Sequence, residues 1–394
     1  MNPAHPYDAL LLVSYGGPNG PEDVLPFMRN ATRGKGIPDE RLLEVSGHYA
    51  RFGGVSPINA CNERLIEALR AEFAARGAEL PVVLGNRNWH PFISASLAEL
   101  VASGAKRILM LPTSAYASYS GCRQYREDVA AALAGIGEDA DGVTVDKTRT
   151  FYDSPGFLQA QVDRIATAYR RLEEQGRGAE ETRLLLVTHS IPVAMQEGSG
   201  DPERPGSDYI AQHLALAEVL VPRVEDALGV ERGTIRAELA YCSRSGPPQA
   251  RWLEPDINDR LEELAAEGVR AVCCAPIGFV SDHMEVVYDL DTEAAETAEG
   301  LGIDYVRAGT AGTHPALIAS LVDLVCERAA RARGEDPERP CALESGPWHE
   351  ECGPHSCRMI AGLDTGIPVV AGPAAPKNGE PPPHHPHRAR EAQR

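Results

Sequence analysis

The chain reads as α/β: two similar doubly wound, Rossmann-like domains facing an interdomain cleft. Three observations predict it. Strand-like apolar runs ending in Gly, Pro, Ser or Asn alternate with helix-like runs, the rhythm of parallel sheets covered by helices. The length, 394 residues, holds two domains with sizeable cores. The chain also carries a weak internal repeat. A-L-L-L-V-S-Y-G-G-P (9–18) matches R-L-L-L-V-T-H-S-I-P (183–192). G-A-K-R-I-L-M-L-P-T-S (104–114) matches G-V-R-A-V-C-C-A-P-I-G (268–278). F-Y-D-S-P-G-F-L-Q-A-Q-V-D (151–163) matches A-G-T-H-P-A-L-I-A-S-L-V-D (311–323), with Pro155 over Pro315. The order is the same in both halves. The predicted domains are 7–165 and 166–330. A cysteine-bearing extension follows (331–360), then a tail (361–394) whose Pro- and His-rich end is expected to be disordered.

Ligands in doubly wound sheets bind beyond the carboxyl ends of the strands, so the residues after each apolar run matter most. The first run ends at Tyr15 and the second at Ser114. The run Leu184–Val187 ends at His189, and the run containing Cys273 and Cys274 leads to Asp282–Glu285. All four ends are expected on facing rims of one cleft. R-F-G-G-V-S-P-I-N (51–59) is Gly-rich but lacks G-x-x-x-x-G-K, and V-S-Y-G-G-P fails the G-x-G-x-x-G pattern, so no nucleotide is expected. A-Y-A-S-Y-S-G-C-R-Q-Y (115–125) puts three tyrosines in a loop after a strand, as packing or as a platform for a flat aromatic ligand.

The segment S-D-H-M-E-V-V-Y-D-L-D-T-E (281–293) spaces Asp282, Glu285, Asp289 and Glu293 by three, four and four. On a helix these lie along one face, where each like-charge pair costs about a few tenths of a kcal/mol. A chain that keeps them together is feeding them a cation or protons; a solvated helix face is the plainer reading. Met284, Val286, Val287 and Leu290 give the segment an apolar side, which favours half-burial. His189 alone is as readily a structural cap as a functional group. Beside the acidic stripe it becomes a base near neutral pH or a ligand for a metal such as ferrous iron. Glu285 is expected to face it across the ligand, from the opposite half.

Hydrophobic residues make up 43% of the chain, as in a globular protein. The formal net charge of −19 argues against a nucleic-acid surface and mildly against an anionic membrane. No apolar stretch reaches about 18 residues, so no transmembrane segment is expected. The N-terminus lacks a basic stretch and a cleavage site, so a cytoplasmic protein is expected. Large exposed apolar segments are not evident, which favours a monomer. Nine cysteines, an odd number in a long chain, do not suggest a disulfide framework. Cys341, Cys352 and Cys357 cluster in the extension as C-x10-C-x4-C, which is not a zinc-ribbon spacing. An iron–sulfur cluster, a zinc site using His349 or His355, and free thiols all remain open from the residues, in that order of preference.

Together L-L-V-S-Y-G-G-P, R-F-G-G-V-S-P-I-N, T-H-S-I-P, S-R-S-G-P-P and P-I-G-F-V-S-D-H-M-E-V-V-Y-D-L-D resemble the ferrochelatases of actinobacterial type, over about residues 7–330. The resemblance implies a chelatase-type fold and insertion of ferrous iron into a porphyrin, with coproporphyrin III the substrate expected in this branch. The product is then iron coproporphyrin III, for heme b synthesis. His189 matches the family's active-site histidine and Glu285 its acidic partner. Tyr15 matches a tyrosine that can bind iron from the other porphyrin face. Arg33, Tyr49, Ser56 and Tyr125 match positions that touch the porphyrin and its propionates. Asp289 and Glu293 continue an acidic track from solvent. Arg87-Asn88 stands where some relatives have Lys-His, which counts against an outer metal site there. The tail resembles that of the iron–sulfur members: Cys341, Cys352 and Cys357 fit three ligands of a [2Fe-2S] cluster and Cys122 the remote fourth. Transient contact with neighbouring heme-pathway enzymes is a further implied expectation. The rival readings are a protoporphyrin IX ferrochelatase, a noncatalytic tetrapyrrole or metal carrier, and an iron–sulfur sensor on a vestigial chelatase body.

Overall fold

In the computed structural model, which describes residues 2–34, 36–245 and 250–372, each half carries one parallel four-stranded sheet. The first contains β1 (Ala9–Ser14), β2 (Val82–Asn86), β3 (Arg107–Pro112) and β4 (Thr144–Lys147) in the order β2-β1-β3-β4. The second contains β5 (Thr182–His189), β6 (Arg236–Cys242), β7 (Ala271–Ala275) and β8 (Asp304–Arg307) in the order β6-β5-β7-β8. The repeat read from the sequence is thus one sheet topology used twice. The central strands are apolar throughout because helices cover both faces: all six residues of β1 are buried, as are all five of β7, Cys273 and Cys274 included. Register is parallel, with Leu10 opposite Val82 and Leu109, and Leu184 opposite Ala237 and Cys273.

The helices of the first half are α1 (Pro21–Ala31), α2 (Asp39–Ala50), α3 (Ile58–Ala75), α4 (Ile93–Ala102), α5 (Gln124–Ile136) and α6 (Pro155–Glu174). Those of the second are α7 (Val193–Glu197), α8 (Tyr209–Leu228), α9 (Ile257–Ala266), α10 (Met284–Val287), α11 (Ala294–Leu301) and α12 (Pro315–Ala332). Two π-helical turns interrupt the pattern at Tyr119–Arg123 and Asp289–Glu293. Both lie in the segment after the third strand of their sheet. Among the described residues no helix is long and apolar enough to cross a membrane.

The aligned prolines open matching helices. Pro155 starts α6 behind Ser154, whose side chain accepts from Phe157 N, and Pro315 starts α12 behind His314, which accepts from Ala316 N. Neither helix stays on its own sheet. α6 packs on β7, β8 and α8, while α12 packs on α6 and on α3 of the first half. The boundary drawn at 165/166 therefore falls inside a helix that belongs to the second sheet by packing, and the chain crosses between halves ahead of Pro155. One apolar core accordingly joins Leu10 and Leu109 to Leu184, Cys273 and Leu321.

The extension is not independent of this body. Trp348, Cys352 and Cys357 are buried in the shared core. Residues 361–368 are exposed, whereas Val370 and Ala371 return to α5, accepting from the Arg126 guanidinium. Most of the tail expected to be disordered, 373–394, lies outside the described residues.

A methyl group at Gly156 would sit 2.0 Å from the Ala316 carbonyl oxygen, so α6 and α12 approach through this position. Gly156→Ala should cost about 1–3 kcal/mol through overpacking, read as a lower denaturant midpoint.

Candidate functional site

The carboxyl ends of the strands open into one cleft of about 1120 Å³. Tyr15 enters after β1, Arg87 and Asn88 after β2, Ser114 after β3, and His189 ends β5. Glu285, on α10, is brought in by the loop after β7. Gly278 permits this: a side chain there would collide with Thr188 Oγ1 at 2.0 Å, so the loop can lie directly on the end of β5. Arg33, Tyr49, Ser56 and Tyr125 also line the cleft. Phe27 holds the first-half wall, meeting Tyr15, Tyr49 and Trp89 edge-on with ring centres 6.0, 6.1 and 6.5 Å away.

His189 Nε2 lies 3.3 Å from Glu285 Oε1. This corrects the expectation of partners facing each other across a ligand. Both residues belong to the second half, and because β5 and β7 are neighbours in the sheet their carboxyl ends lie side by side. The group opposite them is Tyr15. His189 Nδ1 is in contact with the Ser190 carbonyl oxygen, which fixes the proton on Nδ1 and leaves Nε2 as the basic atom. Burial pulls the imidazole pKa down, but Glu285, the Ser190 carbonyl and Asp289 more than offset it, so the net shift is upward.

His283 behaves oppositely. It caps α10, its Nδ1 accepting from the Glu285 amide at 3.2 Å, so that nitrogen carries no proton and the 3.7 Å approach to Glu285 Oε2 is not an ion pair. Burial, partly countered by Glu285, lowers its pKa. One carboxylate thus stands between an imidazole that readily takes a proton and one that stays neutral.

The acidic stripe is only partly a helix face. Asp282 precedes α10 and turns away, its Oδ1 bound by Arg307 (3.2 Å) and Thr310 (3.1 Å). The π-turn then resets the helical phase and sets Asp289 behind Glu285 and Glu293 at the exposed outer end. Asp289 is bonded by Ser243, a non-glycine residue at φ +66° in the S-R-S motif. Burial, with Glu285 and Glu293 adding to it, pushes the Asp289 pKa up to about 7. Tyr15 stays a neutral phenol, raised by burial and then by Glu285, and burial lifts Tyr125 to about 12. Of the three loop tyrosines, Tyr116 stacks on His213 at 3.6 Å and Tyr119 donates to Glu127, so two serve the core beside the cleft. Arg87 pairs with Asp128 and sits 5.3 Å over the Tyr125 ring.

Sequence reasoning missed several lining groups. Asn88 Nδ2 and Trp252 Nε1 are buried donors with no hydrogen-bond partner among the described residues, and both residues line the cleft. Such donors mark where a ligand's acceptors belong. Met359, from the extension, also lines it. The run N-R-N-W carried a weak signal for Asn88; nothing marked Met359.

Beyond the cleft wall, Cys122 is in contact with both Cys352 and Cys357, all three buried. Lys147, 1% exposed, lies beside these thiols with the Thr148 carbonyl as its hydrogen-bond acceptor among the described residues. Arg126, fully buried, donates to backbone carbonyls alone among the described residues. Two buried cations without a carboxylate among the described residues call for nearby negative charge; Cys122 and Cys352 beside Lys147 have raised pKa values, so as free thiols they do not supply it. Cys341 does not join the three: Leu343 N donates to its sulfur at 3.4 Å, and its charged neighbours are Asp153, Arg149 and Arg204. Among the described residues no three His, Cys, Asp or Glu side chains form a metal-holding group.

A two-lobed α/β cleft with an imidazole–carboxylate pair at one strand end and an aromatic wall opposite fits an enzyme acting on a large ligand. The chain belongs to the ferrochelatase family, whose model matches residues 7–329. It is 49% identical to the coproporphyrin III ferrochelatase of Streptomyces coelicolor, over 95% of this chain and 98% of that one. It is 48% identical to that of Leifsonia xyli (90% and 92%), and 43% identical to a ferrochelatase of Rhodopirellula baltica (91% and 95%).

The raised Asp289 pKa makes a stability prediction. The fold holds a proton on Asp289 up to about pH 7, whereas the unfolded chain releases it near 3.9. This group therefore removes stability as pH rises through that window. Asp289→Asn should raise the melting temperature more at pH 8 than at pH 4, measured by calorimetry.

Proposed function

We propose that the protein inserts ferrous iron into coproporphyrin III to give iron coproporphyrin III for heme b synthesis. The observation that carries this is the His189–Glu285 pair at 3.3 Å inside a cleft large enough for a macrocycle. Metallation exchanges two pyrrole N–H protons for one Fe2+, so the enzyme must take up two protons in turn. His189 Nε2 accepts a pyrrole proton, and Glu285 holds the imidazolium formed. Asp289, poised near neutrality, passes the proton on toward Glu293 and solvent; the second proton follows once His189 is discharged. Tyr15, Tyr49 and Phe27 press on the opposite macrocycle face. The unpartnered donors of Asn88 and Trp252, with Arg33, suit a substrate rich in carboxylates. Coproporphyrin III carries four propionates against the two of protoporphyrin IX, and the Streptomyces and Leifsonia relatives support the former.

His189→Ala should lower iron insertion about 100-fold or more while leaving coproporphyrin binding, followed by fluorescence quenching, largely intact; undiminished turnover would sink the assignment. Glu285 raises the His189 pKa, so activity rises with pH as His189 loses its proton. Glu285→Gln should move that acid limb to lower pH. Supplying both porphyrins anaerobically with ferrous iron separates the coproporphyrin reading from the protoporphyrin one.

For the extension we propose a [2Fe-2S] cluster held by Cys122, Cys352 and Cys357 with Cys341 as fourth ligand. Three adjoining buried thiols and the Lys147–Arg126 cations support an anionic, thiolate-held group. Cys341 stands apart from these three thiols, its sulfur accepting from Leu343 N. Such a group supplies one-electron redox chemistry. Lys147→Met should reduce the iron and sulfide content of protein purified anaerobically and lower the midpoint potential of what remains. Full colour in Cys341→Ser would remove Cys341 from the ligand set.

A further inference from the structure

A second cavity, of about 260 Å³, lies behind the cleft, and Ser281 lines both. Its walls come from four places: α3, α6, Ser281–Asp282 ahead of α10, and the A-G-T-A-G-T loop (308–313) between β8 and α12. Two of its polar side chains, Arg64 and Arg164, can only donate. Arg64, on α3, reaches Cys61 Sγ at 3.1 Å and makes no ion pair among the described residues. Arg164, on α6, makes none either, and its Nε is buried without a hydrogen-bond partner. Asp282 is the one carboxylate in the wall, and its side chain is taken by Arg307 and Thr310. Its backbone amide points toward the Cys61 sulfur, on the cavity wall. Thr313 stands two residues ahead of Pro315, so the positive end of the 18-residue α12 abuts the same space.

In a chain of net charge −19, two arginines without carboxylate partners facing one cavity need an explanation. A buried N–H left unpaired, as at Arg164 Nε, is costly. That cost is offset if the cavity takes an anion. We propose that it is a binding site for a small oxyanion, of which inorganic phosphate is the simplest case. Arg64 and Arg164 would provide charge-assisted donors, with Thr313 and Ser281 completing the hydrogen bonds. Because Arg64 stands on the first half and the 308–313 loop on the second, a bound oxyanion would tie the halves together behind the cleft. The inference does not depend on which porphyrin is metallated.

The test is calorimetric titration of the full chain with inorganic phosphate, against sodium chloride of equal ionic strength, with a parallel citrate arm to separate a tetrahedral anion from a carboxylate. Saturable binding and a phosphate-dependent rise in melting temperature are expected in the wild type. Arg164→Gln should weaken binding about tenfold or more. Arg64 is exposed, so Arg64→Gln provides a second variant with little risk to folding and should also weaken it. No saturable heat beyond the chloride control in either arm, or unchanged affinity in both variants, would overturn the proposal.

Discussion

Arg149 is the residue on which the arrangement of the halves rests. It is buried just after β4, with Nη1 2.6 Å from Asp153 and Nε 3.0 Å from Glu327 on α12. Its remaining nitrogen donates to the Pro340 carbonyl, and Arg339 joins Glu327 at 3.1 Å. Asp153 in turn accepts from the amide of Trp348. One cation thus fixes the crossing from the first sheet, the last helix of the second half, and the root of the extension. Removing one member of such a buried network leaves an uncompensated charge, a loss of about 3–5 kcal/mol. A cleft that must hold Tyr15 against His189 and Glu285 needs this rigidity, because the two walls come from different sheets.

The two π-turns show how a duplicated topology acquires different chemistry. Each follows the third strand of its sheet and leads into a helix, α5 or α11. In the second half the turn sets Asp289 behind Glu285 and lets Glu293 reach solvent, converting a row of like charges into a graded path. In the first half the turn presents Cys122 and Arg123 to the extension, where Arg123 donates to the carbonyls of Pro354 and Ser356. The same local device therefore places carboxylates in one half and a buried thiol in the other.

The strand ends were legible in the sequence because a buried parallel strand is a continuous apolar run, and the polar residue that stops it stands at the mouth of the sheet. Tyr15, Ser114 and His189 were found that way. That His189 and Glu285 stand side by side was not legible, since strand order is set by packing and leaves no mark in the run itself. The phase of the acidic stripe failed for a similar reason: spacing of three and four assumes an α-helix, and the π-turn shifts it. Lys147, Arg149 and Arg126 were invisible as buried charges, because an isolated Lys or Arg in a sequence is most often solvated. The thiols of Cys122, Cys352 and Cys357 came together only through the resemblance, which their spacing alone could not supply.

The extension bears on the cleft through its backbone rather than through any side chain of the catalytic pair. Cys357 sits at φ +53°, a conformation a non-glycine residue holds only when its surroundings impose it. Its amide donates to the Gly200 carbonyl at 2.8 Å, and a side chain at Gly198 would strike the Arg358 carbonyl. Two residues on, Met359 lines the cleft. Anything that holds Cys352 and Cys357 in place therefore also holds Met359 and α7 at the wall where the macrocycle would enter. The extension thus shares one lip of the cleft with α7, through Met359 and Met195, while His189 and Glu285 stand apart from it on β5 and α10.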